Sequence, residues 1–276
     1  MWKLPFPDRT PEHLIQLVAR MKQEREGRLL VVLLDEVDAL LTHDLTNEER
    51  LFKVFRALSQ GGCCRFIFCG GRVLYARLHD PSSALFNFCS AIRLGYLNPR
   101  DTGRIVLEPM QEMGIGFEDA GKLVQGIMDL SAGHPNLVQY ICQELIVRIN
   151  ARGDHFLTLA DLHAISSSSQ FGEYLIEVMW GNATALERLI TLLMLDKPSM
   201  TAAQMEAALR EHGMEVSSTA IEQALDGLVF YSVLNREEQE YYFTAAAFPA
   251  VVTATQNIGA LIERSIQSLR SEMPVG

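Results

Sequence analysis

The sequence predicts an α/β protein in which a short parallel sheet is followed by a helix-rich segment with one late β-hairpin. Three observations support this fold class. An unbroken run of six aliphatic residues at 29–34 ends in the adjacent carboxylates of Asp35 and Glu36. A second short apolar run at 64–69 follows one helix-like segment. The rest of the chain has helical hydrophobic spacing up to a hairpin pattern near residues 230–244.

Residues 29–34 predict a strand that is buried on both faces, because such strands in parallel sheets are continuously aliphatic and do not alternate. Asp35 and Glu36 then lie at its C-terminal end, where open α/β sheets bind their ligands. Two interpretations stay open at this point. The carboxylates can hold a metal ion and polarise a water molecule beside a phosphate. Alternatively, they are solvated acids that open the next helix.

Residues 48–58 predict a helix between the two strands, which makes a βαβ unit with a parallel strand pair. Arg72 follows the second strand and therefore lies on the same rim of the sheet as Asp35 and Glu36. A cation at this place can sense a terminal phosphate, or it can be a solvated side chain after a glycine turn. Residues 91–94 predict a third strand.

A phosphate-binding glycine loop, G-x-x-x-x-G-K-[ST], has one near match at residues 116–122. The match fails because Leu123 has no hydroxyl group for a metal ion, and because Glu118 and Asp119 would repel phosphate. Apolar residues recur there at helical spacing, so residues 117–129 predict an amphipathic helix. The residues before the first strand contain no such loop.

The middle of the chain predicts three successive helices at 100–112, 117–129 and 136–150. Between the last two, Gly133 can end one helix and Pro135 can open the next. Helix capping alone therefore explains the sequence of this turn.

The final third predicts three helices followed by a β-hairpin, which is the arrangement of a winged helix. A capping pattern at 217–222 opens the third helix, and strands at 230–234 and 241–244 flank a charged turn. An amphipathic helix ends the chain. Between residues 182 and 250, ten acidic side chains stand against four Lys and Arg. Because phosphate contacts dominate DNA affinity, this surface is not expected to bind a duplex.

The composition is that of an ordinary globular protein, with 48% hydrophobic and 21% charged residues in a chain of 276, which is long enough for two domains. The formal net charge of −10 opposes non-specific attraction to nucleic acid or anionic membrane. The six-residue aliphatic run is far too short to cross a bilayer. Five cysteines without C-x-x-C spacing, and no secretion leader, predict a cytoplasmic protein with reduced thiols.

Taken in order, these motifs resemble the STAND and related AAA+-type P-loop ATPases of prokaryotes. Segment 31–41, VVLLDEVDALL, is similar to their Walker B strand, and the next strand ends at Arg72 like a sensor-1 strand. The turn Gly133-His134-Pro135 resembles the G-x-P element of their helical lid. The sequence DEVD at 35–38 is also similar to the same segment of the origin-recognition initiators, but the Gly-His-Pro turn favours the STAND-like family.

The resemblance implies five successive segments in the chain. They are a partial P-loop NTPase α/β core (1–97), a helical lid (98–155), a helical connector (156–181), a winged helix (182–252) and a C-terminal amphipathic helix (253–276). The implied fold class is α/β, with a partial P-loop NTPase parallel sheet, and helix-rich overall.

The resemblance also implies a site that uses ATP and Mg²⁺ as cofactors. Asp35 is the implied metal ligand, and Glu36 is the implied catalytic base. The residues implied to contact the nucleotide are Arg72, Gly133, His134 and Pro135. The candidates for an arginine finger are Arg77, Arg93 and Arg100.

The chain lacks the family's Walker A loop and its first two strands, so most of the energy for holding the β- and γ-phosphates is missing. A sheet without its central strand also exposes edges and apolar faces that natural proteins avoid. We therefore expect an upstream P-loop segment or a partner chain, with a homo-oligomer as a further form of partnership. No DNA or membrane partner is expected, and the chain alone is not expected to turn over ATP.

The leading functional hypothesis is an ATP-binding or ATPase module of a STAND-like signalling or defence regulator, in which nucleotide state alters the contact between lid and winged helix. The alternative is a winged-helix DNA-binding or protein-interaction scaffold without nucleotide turnover. A hydrolase of another kind is disfavoured, because the sequence has no G-x-S-x-G elbow, no Cys–His constellation with family spacing and no zinc motif.

Overall fold

The computed structural model of the chain describes residues 10–23 and 29–272. The chain divides into two compact units, Met1–Arg93 and Leu94–Gly276. The described elements of the first unit are, in chain order, α1 (Pro11–Gln23), β1 (Val31–Leu34), α2 (Val37–Leu45), α3 (Arg50–Gln60), β2 (Arg65–Phe68) and α4 (Arg72–His79).

Strands β1 and β2 form a parallel pair in which Leu34 lies opposite Phe68. The predicted parallel pairing is therefore confirmed, but two helices, α2 and α3, connect the strands where one was predicted. Side chains alternate between the two faces of each strand. On one face, Phe66 and Phe68 pack against the buried rings of Phe52 and Phe55 in α3.

The opposite face of this sheet is open to solvent. Leu33 is 71% exposed, and Val31 and Ile67 on the same face are also exposed. The prediction that the strand is buried on both faces is therefore wrong for the face that carries Val31 and Leu33. A parallel pair is buried on both sides only when a layer covers each face, and the described residues cover one.

The predicted third strand at 91–94 is wrong, since this segment is irregular in the structure. Ile92 and Leu94 are 87% and 91% exposed. A strand forms only where a neighbour takes its backbone N–H and C=O groups. In the described part of the chain, β1 and β2 pair with each other and with no further strand.

The second unit is mostly helical. Its elements are, in chain order, α5 (Pro99–Glu112), β3 (Gly116–Phe117), α6 (Ala120–Ser131), α7 (Pro135–Arg152), β4 (Phe156–Leu157), α8 (Leu159–Ser166), α9 (Ser169–Trp180), α10 (Ala185–Leu193), β5 (Met200–Thr201), α11 (Ala202–Glu211), α12 (Ser218–Phe230), β6 (Leu234–Glu237), β7 (Glu240–Phe243), α13 (Phe248–Thr255) and α14 (Ile258–Glu272).

The helix predicted at 117–129 begins three residues later than expected. Asp119 caps α6, because its side chain accepts a hydrogen bond from the backbone N–H of Lys122 at 3.0 Å. Phe117 belongs instead to β3, where it lies opposite Leu157 in a parallel pair. The apolar side chain of Phe117 fits both the helical and the strand spacing of apolar residues, and the cap at Asp119 decides where the helix starts.

Residues 185–243 fold as three helices, α10 to α12, with a three-stranded antiparallel sheet in the order β5-β7-β6. The hairpin is confirmed, but its first strand, predicted at 230–234, is wrong except for Leu234: α12 continues to Phe230 and β6 begins at Leu234. The strands lie in the charged segment instead, and Glu238 turns the chain with a φ of 53°. Arg236 lies opposite Tyr241, and its guanidinium stands 5.5 Å from that ring. This cross-strand contact holds charged residues in the strands.

The buried side chains of the second unit form one continuous hydrophobic core from Val106 in α5 to Leu269 in α14. The predicted helices at 100–112 and 136–150 correspond to α5 and α7, which both contribute to this core. Every helix within residues 10–23 and 29–272 falls short of the length or the apolar character that a bilayer span requires.

Candidate functional site

Asp35 and Glu36 follow β1 directly and are both exposed at the C-terminal end of the sheet. Asp35 Oδ1 accepts a hydrogen bond from the backbone N–H of Glu36 at 2.9 Å. Glu36 has a φ of 50°, a left-handed conformation that costs a non-glycine residue about 1–2 kcal/mol. The next N–H, of Val37, donates to the carbonyl of Cys69 at 3.0 Å and so holds this turn against the end of β2.

Asp38, in the first turn of α2, is hydrogen-bonded to the start of α4. Its Oδ2 accepts from the N–H of Gly71 at 2.5 Å, and its Oδ1 accepts from Val73 at 2.7 Å and Leu74 at 3.2 Å. The carboxylate therefore caps α4 from a different element. A Cβ on Gly70 would lie 2.3 Å from Asp38 Oδ2, so only glycine allows this approach.

Arg72 is the first residue of α4 and is half-buried. Because Asp38 fixes the start of α4, Arg72 is held on the same rim as Asp35 and Glu36. The structure thus places Asp35 and Glu36 after one strand of the parallel pair and Arg72 after the other, within the first unit. The anchor itself, Asp38, was not among the predicted site residues. Its signal in the sequence is an acid three positions after Asp35 and a glycine pair at the end of the next strand.

Arg77, one of the three arginine-finger candidates, is committed to internal ion pairs. Its guanidinium contacts the carboxylates of Glu49 and Asp80, and its side chain is 16% exposed. Glu49 in turn accepts from the backbone N–H of Ala84 at 2.5 Å. This arginine stabilises the first unit and does not project from it. Arg93 remains exposed, with its guanidinium 5.8 Å from the ring of Tyr75.

The turn Gly133-His134-Pro135 lies in the second unit, between α6 and α7. Gly133 has a φ of +80°, and a Cβ there would stand 2.1 Å from the carbonyl oxygen of Leu97. The N–H of Leu97 donates to the carbonyl of Gly133 at 2.9 Å. Pro135 opens α7 and is exposed. The glycine is therefore explained by a close backbone approach as well as by capping.

His134 is the N-cap of α7. Its Nδ1 accepts from the N–H of Asn136 at 3.2 Å, and burial lowers the pKa of its imidazole below the usual range. A neutral ring is what this cap needs, because a protonated nitrogen has no lone pair to accept the bond. The helix N-terminus also disfavours a positive charge.

Tyr96 packs on this turn and was not singled out in the sequence. Its ring centroid lies 4.7 Å from that of His134, edge to face, and its hydroxyl donates to the carbonyl of Tyr231 at 2.8 Å. Burial raises the pKa of Tyr96 to about 12. A cavity of about 110 Å³ lies beside this contact, and its lining includes Tyr96, His134, Tyr231, Met179 and Leu228.

The implied cofactors fit this chain in part. Mg²⁺ is usually held by one or two carboxylates plus the phosphates of its substrate, so exposed Asp35 suits it as a single ligand. Within the described residues, no three His, Cys, Asp or Glu side chains gather into a metal site of their own. The N-termini of α4 and α6 do not fit phosphate, because Asp38 and Asp119 already take their N–H groups. Asp35 therefore suits the metal, and the N-termini of α4 and α6 do not cradle the phosphates.

No protein-family model matches the sequence, and the search of curated proteins found no match. Solved structures do match. The chain is similar to a Walker-type ATPase of Pyrococcus abyssi, with a TM-score of 0.60 and 12% identity over 88% of this chain and 66% of that one. It is also similar to the ORC2 protein of Aeropyrum pernix, solved as ADPNP–ADP complexes, with a TM-score of 0.53 and 15% identity over 95% and 70%.

At these identities the similarity concerns the fold alone: the chain shares a helix-rich α/β fold with these two proteins, as the predicted fold class requires. The chain spans just under two thirds of the length of the Pyrococcus protein. What those whole proteins bind is therefore not carried over to this chain by the comparison alone.

Proposed function

We propose that this chain is an ATP-binding module of a STAND-like signalling or defence regulator, in which the rim after β1 holds the Mg²⁺ of a bound nucleotide. The observation that carries the proposal is that Asp35 and Glu36 follow β1 and Arg72 opens α4 after the paired strand β2, with the start of α4 hydrogen-bonded to Asp38. The fold shared with P-loop ATPases supports it.

Each residue of the rim has a distinct role in this proposal. Asp35 supplies one carboxylate oxygen to the metal ion, and Glu36 orients and polarises the attacking water molecule. Mg²⁺, when bound, neutralises charge on the phosphate oxygens. Arg72 contacts the terminal phosphate as a sensor. A nucleotide contact by the turn Gly133–Pro135 rests on the family resemblance alone.

The phosphates need a cradle from outside the described residues. The capped N-termini of α4 and α6 do not provide one, and the open sheet face of Val31, Leu33 and Ile67 needs a cover. We propose one answer to both needs: an upstream P-loop segment or a partner chain packs on this face. A second copy of this chain in a homo-oligomer is one form of such a partner.

Residues 182–252 are proposed to form a winged helix that takes part in protein contacts. The order of three helices and an antiparallel sheet supports this assignment. The exposed side chains of Glu222 and Asp226 on α12, with Glu237 and Glu238 in the hairpin, oppose DNA binding. If the chain binds no nucleotide, a protein-interaction scaffold is the second candidate function.

Calorimetry with Mg-ATP tests the proposed function on three proteins: this chain, its Glu36→Gln variant, and the chain extended upstream in its coding sequence. We expect binding by the extended protein and little by the short one. In the extended protein, Glu36→Gln is expected to keep binding and to lose ATP hydrolysis by about 100-fold or more, as expected for a lost base. Asp35→Asn is the matched variant that is expected to weaken Mg²⁺-dependent binding itself.

The exposed thiol of Cys69 provides an independent measurement, because Cys69 directly follows β2, as Asp35 directly follows β1. Bound Mg-ATP is expected to slow alkylation of Cys69 and to leave half-buried Cys142 in α7 unchanged. Absence of binding by both the short and the extended protein, without protection of Cys69, would leave the scaffold function in its place.

A further inference from the structure

We infer that Tyr96 is a latch that joins the Gly133–Pro135 turn to the C-terminal end of α12, so that a change in the turn is transmitted to residues 228–234. We call the contacts of Tyr96 with His134 and Tyr231 the Tyr96 latch. The inference rests on the proposed function only for what moves the latch, namely nucleotide at the Gly133–Pro135 turn. The contact and its coupling do not require nucleotide.

One end of the latch is fixed on the turn. The backbone of Leu97 is bonded to Gly133 and approaches it so closely that a methyl group would clash. Tyr96, the preceding residue, stands edge to face on the ring of His134. His134 also caps α7, so a shift of this turn moves the His134 ring against which the Tyr96 ring packs.

The other end of the latch meets a helix terminus. Tyr231 is the C-cap of α12, where the last carbonyl groups of a helix have no partner within it. The Tyr96 hydroxyl donates to the Tyr231 carbonyl. Ser232 then turns the chain with a φ of 56°, and Val233 bonds back to Leu228 at 2.9 Å before β6 begins. Tyr96 thus holds the junction between α12 and the hairpin.

The cavity beside the latch gives its side chains room to rearrange. Tyr96, His134 and Tyr231 all line this space of about 110 Å³. In a filled core, a ring that changes its position must displace its neighbours, because protein interiors are close-packed. Here the rings border a pocket on one side and not a packed neighbour. The inference is that Tyr96 can leave the Tyr231 carbonyl without displacing a packed side chain.

Hydrogen–deuterium exchange of residues 228–234 in the nucleotide-free, 276-residue protein tests the latch. Tyr96→Phe removes the hydroxyl and keeps the ring on His134. We expect the amides of 228–234 to exchange about two- to tenfold faster, the range that corresponds to one net hydrogen bond. Tyr140→Phe is the matched control, because Tyr140 is a half-buried tyrosine of α7 that stacks on Tyr174 instead.

The decisive variant lies at the far end of the contact. His134→Asn keeps a side chain that caps helices well but removes the ring under Tyr96. We expect it to speed exchange at 228–234 as much as Tyr96→Phe does, and the double variant to add nothing further. The latch is overturned if His134→Asn affects only the first turn of α7, or if the two effects add. No nucleotide is present in these samples, so failure of the latch is separate from failure of the proposed function.

Discussion

The carboxylate of Asp38 lies 2.5 Å from the backbone nitrogen of Gly71, and this bond joins the helix that follows the first strand to the helix that follows the second. Two further N–H groups of α4 donate to the same side chain. The start of α4, and Arg72 with it, is therefore positioned by a residue 33 or more places earlier in the chain. A local helix cap could not tie the two helices together in this way.

Replacing Asp38 with alanine is expected to lower the free energy of unfolding of the first unit by about 2 kcal/mol, because three backbone N–H groups lose a charged acceptor. Urea denaturation measures this loss. Asp35→Asn is the matched control, since the Asp35 side chain is exposed and its recorded hydrogen bond is to its neighbour Glu36. Equal stability of the Asp38 variant and the control would contradict the role of Asp38 as an anchor.

Gly133→Ala is expected to destabilise the second unit by about 3 kcal/mol or more. The left-handed backbone accounts for about 1–2 kcal/mol, and the clash of the new methyl group with Leu97 adds to it. Gly114 provides the control, because its φ of +74° is similar and a Cβ there meets no atom within 4 Å. Thermal unfolding of Gly133→Ala and Gly114→Ala separates the cost of the left-handed backbone from the cost of the clash. Equal losses of stability would show that the close approach of Leu97 adds no cost.

The stability of the second unit is expected to fall in acid through Asp161. Burial alone would raise the pKa of this carboxyl group, but hydrogen bonds from Arg152 and Thr158 outweigh it and lower the pKa to about 2 from 3.8. The unfolded chain therefore takes up the proton first as pH falls, and protonation favours unfolding. The contribution of Asp161 is complete above pH 3.8 and is lost as pH falls towards 2.

Urea denaturation between pH 4 and pH 2 measures the Asp161 effect, which is about 2 kcal/mol for a shift of this size. Asp161→Asn is expected to flatten the pH dependence in this window. Asp154→Asn is the matched control, because Asp154 also lies near Arg152, at 3.7 Å. Its side chain is exposed, so this variant is expected to leave the pH dependence unchanged. A variant at Asp161 that still loses stability as steeply as the original chain would refute the assignment.

Leu33→Lys is expected to leave the folding stability nearly unchanged, within about 0.5 kcal/mol, because the side chain is already exposed. It is expected to weaken association through the open sheet face, whether with an added upstream segment or with a second copy. Sedimentation velocity at increasing concentration follows self-association. Val147→Lys on α7 is the control, since Val147 is an exposed aliphatic residue of the other unit. Association that both variants weaken equally would not involve the sheet face.

Much of this fold was predictable from local sequence. The helices α5 and α7 were placed by hydrophobic spacing, and the two parallel strands by short apolar runs around one helix. The position of Asp35 and Glu36 at the end of β1 also followed from the sequence, because a strand's end is marked where its apolar run stops. Such signals involve residues close together in the chain, so they can be read from the sequence without knowledge of the tertiary contacts.

Sequence by itself determined which residues form the helices, the strand pair and the acidic rim, since periodicity and caps act over a few neighbouring residues. The tertiary structure decided the rest. It left Leu33 exposed and residues 91–94 outside any strand, because a strand depends on neighbours that the described residues do not supply. It placed Asp38 on Gly71 and Tyr96 between His134 and Tyr231, because contacts between residues 30 to 140 positions apart depend on packing and leave no periodic pattern in the sequence.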